Sequence, residues 1–177
     1  MKKLLKFSLV AGAAIILAAC LGAEQTVQST DKQFELTLDK KFTNVLDQKK
    51  DIIANRLPGT PEEHLTLLQL AGDRDSGDLA YAVSLPLPES VEITLDDFIS
   101  VMNEQMDELP QIKDFKVEPV SAELNNQINY RAESKIEDQS YYEFCRIAID
   151  KTITTICVGT GNNLDEAQKI INSIKFL

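Results

Sequence analysis

The sequence predicts an α+β fold, an antiparallel β-sheet flanked by helices. Two observations predict it. The elements run strands, helix, four strands, helix, which is the order of segregated α+β folds and not of alternating α/β ones. The connections between residues 115 and 159 are too short for crossover helices, so the strands there must run antiparallel.

Each element has its own signal. QFELTLD, residues 33–39, alternates Phe34, Leu36 and Leu38 with polar neighbours, the period of a half-buried strand. Residues 42–58 admit a short strand from Phe42 to Leu46, followed by a loop or short helix. HLTLLQLAGDRDSGDLAYAVSLPLPES reads as strand, acidic turn, strand, with Pro86 and Pro88 forcing the second strand to end or to lie at an edge. TLDDFISVMNEQMDELP is a helix. Thr94 and Asp97 form its capping pair, Leu95, Phe98, Ile99, Met102, Met106 and Leu109 share one face, and Pro110 ends it. Strands follow over Phe115–Ser121, Gln127–Ile136, Tyr141–Ile149 and Thr152–Gly159. A last helix is capped by Asn163 and Glu166 and striped by Leu164, Ala167, Ile170, Ile171 and Ile174. No internal repeat or interdomain linker is present.

FELTL, TLDDFISVMNEQMDEL, the strand meander and the closing LDEAQKIINSIKF together resemble the Mog1/PsbP/DcrB-like superfamily, most closely the DcrB-like bacterial lipoproteins. The resemblance spans nearly the whole chain from Cys20 onward. It implies an α/β/α sandwich and a binding or assembly role in the cell envelope, not an enzymatic one.

The N-terminus reads as an address. MKKLLK places three lysines ahead of an apolar run, Phe7–Ala19. As a helix that run rises roughly 20 Å, short of a hydrocarbon core of about 30 Å. Leu17-Ala18-Ala19-Cys20 completes the pattern of a lipobox. Residues 1–19 are then a lipoprotein signal peptide, 20–32 a flexible tether and 33–177 one α+β domain. Cys20 becomes the lipidation site, since several acyl chains hold stably where one holds only marginally. A simple signal peptide with a chance cysteine is the plainer alternative. Leu21 stands where aspartate would be an inner-membrane retention signal, which favours the periplasmic face of the outer membrane.

Charge excludes some partners. The net charge of −10 becomes −13 once Lys2, Lys3 and Lys6 leave with the signal. Such a domain repels phosphate, so nucleic acid is not an expected partner. The expected partners are the membrane, through lipid on Cys20, and an envelope protein.

With Cys20 set aside, Cys145 and Cys157 remain, and in an exported chain such a pair reads as a disulfide. They flank Asp150-Lys151 in YYEFCRIAIDKTITTICVG. A two-residue turn would set Cys145 opposite Ile156 and turn the cysteines to opposite sheet faces. A three-residue loop, 150–152, sets Cys145 opposite Cys157, Ile147 opposite Thr155 and Ile149 opposite Ile153. Directly opposed residues lie within the span a disulfide accepts. The expectation is the bond and the three-residue register; two buried free thiols are the alternative.

No other pattern compels chemistry, and no cofactor or metal is expected. Asp73, Asp75 and Asp78 alternate, but the glycine and glutamate of a calcium loop are missing from their required positions, leaving a solvated turn. His64 is the only histidine, and no G-x-S-x-G elbow accompanies it. A hydrolase built on His64 is therefore the least favoured reading. Asp96 and Asp97 have a capping explanation. VGTGNN lacks the third glycine of a dinucleotide loop and the lysine of a P-loop. The expected function is non-catalytic protein binding or envelope maintenance. Small-ligand binding beneath the helix carrying Met102 and Met106 is the alternative.

Overall fold

The structure is a computed structural model that describes residues 24–57, 59–89, 93–107, 112–119, 126–136, 139–161 and 164–177. The expected signal peptide, Cys20, the helix stop at Pro110 and the cap residue Asn163 lie outside the described residues.

Among the described residues the chain forms ten strands: β1 (Glu24–Gln28), β2 (Phe34–Asp39), β3 (Thr43–Asn44), β4 (Leu65–Ala71), β5 (Asp78–Pro86), β6 (Ile112–Pro119), β7 (Gln127–Ile136), β8 (Gln139–Ile149), β9 (Thr152–Thr160) and β10 (Lys175–Phe176). Three α-helices interleave with them: α1 (Lys49–Arg56), α2 (Leu95–Asp107) and α3 (Leu164–Asn172). Seven strands form one sheet in the order β3-β4-β5-β9-β8-β7-β6, and β1-β2-β10 form a second. Every pairing is antiparallel. The short strand and helix expected within 42–58 are β3 and α1. Pro86 is the last residue of β5, where its missing N–H costs the ladder least. The α2 cap forms as the sequence indicates: Thr94 Oγ donates to Asp97 Oδ2 at 2.6 Å, and the Asp97 N–H donates to Thr94 Oγ at 3.2 Å.

The tether expected over 20–32 is corrected by the fold. From Glu24 onward the chain is structured, because β1 pairs with β2 from Glu24↔Asp39 to Gln28↔Glu35. The turn between them closes on Ser29, whose buried hydroxyl accepts the N–H groups of Gln33 at 3.1 Å and Phe34 at 3.3 Å. The Thr30 N–H also donates to the Thr66 carbonyl on β4 at 2.9 Å. Residues 24–32 are thus tied into the domain through β2 and β4.

The seven-stranded sheet buries apolar residues on both faces. On one face Ala80, Ala82, Phe144, Ile156 and Val158 pack against Phe34, Leu36 and Leu38 of β2 and Ala167, Ile170 and Ile171 of α3. The Ser173 hydroxyl, just past α3, accepts the Thr37 N–H at 2.8 Å and ties helix to strand. On the other face Ile128, Tyr130, Cys145, Ile147 and Cys157 cluster with Leu95, Phe98, Ile99 and Met102 of α2. Farther along that face, Ile52 and Ile53 of α1 join Leu65, Leu68, Leu70 and Leu79. The expectation of a single sheet covered by helices alone is therefore amended, since a second small sheet shares one face with α3.

Candidate functional site

Strand β8 carries the chemistry. Its run QSYYEFCRIAI is apolar on both faces, as a central strand should be, yet it holds one acid and one base. Period 2 sends Glu143 and Cys145 to the α2 face and Phe144 and Arg146 to the α3 face.

On the α2 face one lateral row crosses four strands: Tyr81 faces Cys157, Cys157 faces Cys145, and Cys145 faces Tyr130. Cys145 and Cys157 are joined by a disulfide with a Cα–Cα distance of 4.1 Å, and both are fully buried. The hairpin has the three-residue register, with Ile147 opposite Thr155 and Ile149 opposite Ile153. The Tyr130 hydroxyl lies 3.4 Å from Cys157 Sγ. The Tyr81 hydroxyl donates to Glu143 Oε1 at 2.7 Å. Burial pushes the Glu143 carboxyl above the ordinary carboxylate range, and the Tyr81 hydroxyl only partly offsets that. Burial, reinforced by the Glu143 charge, pushes Tyr81 and Tyr130 well above the ordinary tyrosine range. Both phenols therefore stay protonated and act as donors.

Among the described residues, Glu143, Cys145 and Cys157 are the one trio whose ligand-type atoms lie within 4.8 Å of one another. Two of those atoms are bonded to each other, and a metal needs thiolates, so the trio is not a metal site while the disulfide stands.

On the α3 face Arg146 is 7 % exposed. Its Nε donates to Asn129 Oδ1 at 2.9 Å and its Nη2 to Asn172 Oδ1 at 3.3 Å. Burial lowers its pKa from the ordinary arginine value. No carboxylate pairs with it among the described residues.

Two clefts open near this face. One of about 710 Å³ lies between β2 and α3 and is lined by Glu24, Asp39, Asp165, Glu166 and Lys169 among others. Its charges are partly matched: Lys169 meets Glu24 at 2.8 Å, and Lys41 meets Glu166 at 2.8 Å. The other, about 380 Å³, lies at the 150–152 turn and includes Lys32, Lys151, Thr154 and Gln127.

The remaining sequence candidates fall in separate places. His64 ends a 3₁₀ turn at Glu62–His64, and among the described residues no serine or carboxylate hydrogen-bonds its imidazole. Asp73, Asp75 and Asp78 do not converge: Asp73 Oδ1 accepts the Asp75 N–H at 2.9 Å, while Asp78 pairs with Lys41 at 3.3 Å. Gly77 lets that turn close, since a Cβ there would meet the Ala71 and Asp73 carbonyl oxygens at 2.4 Å. Arg56, the last residue of α1, donates to the Gly77 carbonyl and to the Tyr141 hydroxyl, fastening the turn to β8. Asp97 caps α2. Sequence reasoning missed Glu143 and Arg146; the available signal was a charge on each face of an otherwise apolar strand.

Compared with models of known protein families and with curated proteins, the chain matches none.

Proposed function

We propose that this chain is a lipid-anchored, non-catalytic domain of the bacterial cell envelope that works by binding a protein partner. Cys20 carries the lipid, and the domain stands on the periplasmic side of a membrane, the outer one in preference to the inner. The observation that carries this reading is the Cys145–Cys157 disulfide, fully buried at the centre of the α2 face. Structural disulfides persist in oxidising compartments, which agrees with a basic, apolar leader ending in Leu17-Ala18-Ala19-Cys20. No helix among the described residues is long and apolar enough to cross a membrane; in this reading the lipid on Cys20 makes the attachment. Clusters containing helix residues on both faces of the large sheet support the α/β/α sandwich reading.

The early start of β1 sharpens the geometry. Four residue steps separate Cys20 from Glu24, a reach of about 14 Å at full extension. The domain then rides against the bilayer, and its partner is a membrane-apposed protein.

Fractionation of cells expressing the full chain or its Cys20→Ser variant tests this. The wild type should remain with membranes and yield a reproducible crosslinked protein partner, whereas Cys20→Ser should shift to the soluble fraction. Equal partitioning of the two forms would refute the anchor. Small-ligand binding is a second reading; the cleft of about 710 Å³ offers it a place between β2 and α3, not beneath the helix carrying Met102 where it was expected. It predicts saturable uptake of a small molecule by the isolated protein.

A further inference from the structure

The cleft of about 380 Å³ at the 150–152 turn has its origin in the strand register. Gln127 faces Ala148, Ala148 faces Thr154, and Thr154 faces Ser84, in one lateral row on the α3 face. Adjacent strands lie about 4.8 Å apart, so Gln127 and Thr154 stand roughly 10 Å apart with only a methyl side chain between them. Ala148 is the floor of the cleft.

The two walls differ. On one side the Thr152 and Thr154 hydroxyls both donate to Gln33 Oε1, at 3.3 and 3.1 Å. On the other, Gln127 is 9 % exposed, and its Oε1 is enclosed without a hydrogen-bond partner. Native interiors hold few such acceptors, and each calls for a reason. The last torsion of a glutamine side chain is broad, so the carboxamide turns readily toward a donor in the cleft.

The rim carries both charges and an apolar ledge. Lys32 and Lys151 are exposed, and no carboxylate pairs with either among the described residues. Asp150 adds one carboxylate. Phe176 and Leu177, large apolar residues left exposed, supply the ledge. The volume falls within the range of small-molecule sites, about 300–1,000 Å³.

We propose that this cleft binds a free α-amino acid with an apolar side chain. Its ammonium donates to Gln127 Oε1 beside Asp150, its carboxylate meets Lys32 and Lys151, and its side chain lies on Phe176 and Leu177. A zwitterion suits the molecule as a whole, because the field of a net charge of −10 opposes an anion but not a neutral ligand. The site stands apart from the larger cleft between β2 and α3, and it depends on neither the lipid on Cys20 nor a protein partner.

The test is an NMR titration of the purified full chain with L-leucine, observing the Gln127 Nε2–H resonances. Two analogues probe the charges separately: 4-methylpentanoate lacks the ammonium, and L-leucinamide lacks the carboxylate. Leucine should give a saturable shift. Each analogue should bind about tenfold more weakly, the equivalent of one charge-assisted hydrogen bond. A double Lys32→Gln and Lys151→Gln variant, altered only at exposed positions, should weaken leucine about tenfold and leave leucinamide unchanged. Gln127→Leu, followed through neighbouring amide resonances, should weaken leucine to the same degree. It should melt no lower than the wild type, because the acceptor it removes has no partner. If Gln127→Leu does not fold, the lysine variant keeps the test decisive. A linear, unsaturable response to leucine would overturn the site. So would tighter binding of 4-methylpentanoate than of leucine, or unchanged leucine affinity in the lysine variant.

Discussion

The two faces of strand β8 treat a buried charge in opposite ways. On the α2 face the half-buried Glu143 accepts the Tyr81 hydroxyl at 2.7 Å, and burial shifts its pKa toward the protonated form. On the α3 face Arg146 has no such exit, because a guanidinium cannot shed its proton. It is held by two amides, and no carboxylate pairs with it among the described residues. The difference separates a cross-linked face from one whose charge is held by neutral amides. The Glu143 side is closed, cross-linked and self-satisfied, whereas the Arg146 side is oriented but incomplete.

Three perturbations break or sharpen that contrast, in falling order of effect. The largest belongs to the cross-linked face. Its disulfide closes a loop with a sequence separation of 12, so a double Cys145→Ala and Cys157→Ala variant should lose about 3 kcal/mol. Thermal unfolding should show the midpoint falling by roughly 6–12 °C. An unchanged midpoint would remove the disulfide from the account of that face.

Next comes the acid itself. The folded pKa of Glu143 is raised, so the folded state holds this proton more tightly than the unfolded state does. The stabilisation is complete below the unfolded value of about 4.5 and is lost as pH rises through the folded value. Chemical denaturation across that window should show Glu143→Gln flattening the pH dependence. Tyr81→Phe should cost about 1–3 kcal/mol at neutral pH, the penalty of a buried acceptor left without its donor. If Tyr81→Phe left both stability and its pH slope unchanged, the α2 face would not be self-satisfied.

The smallest effect has the opposite sign. Replacing a buried charge by an apolar residue of similar length is often neutral or stabilising. Arg146→Met should therefore unfold at the same denaturant concentration as the wild type, or at one higher by the equivalent of about 1 kcal/mol. A loss of several kcal/mol would make Arg146 a structural residue, and the two faces would then be alike.

Much of this was legible in the chain, and the limits are physical. The 145–157 register followed from loop length and the two-residue period, because the hairpin is local and its cysteines constrain each other. The α2 cap was legible because Thr94 and Asp97 act within one turn. Strand β1 was not. EQTVQ is short and mostly polar, and only pairing with β2 makes it a strand, so it reads as a tether in isolation. Strand β10 is two residues long and exists through Lys175↔Glu35 and Phe176↔Phe34, distant partners that leave no periodic trace. Glu143 and Arg146 were visible as letters. Their burial depended on α2 and α3 arriving from elsewhere in the chain.

The most direct test of the anchored, exported domain is the mass of the N-terminal peptide of the protein recovered from bacterial membranes. The account predicts a chain that begins at Cys20 and carries diacylglycerol on its sulfur and an acyl group on its new amine. A membrane-recovered protein with an unmodified Cys20, or one retaining residues 1–19, would contradict it.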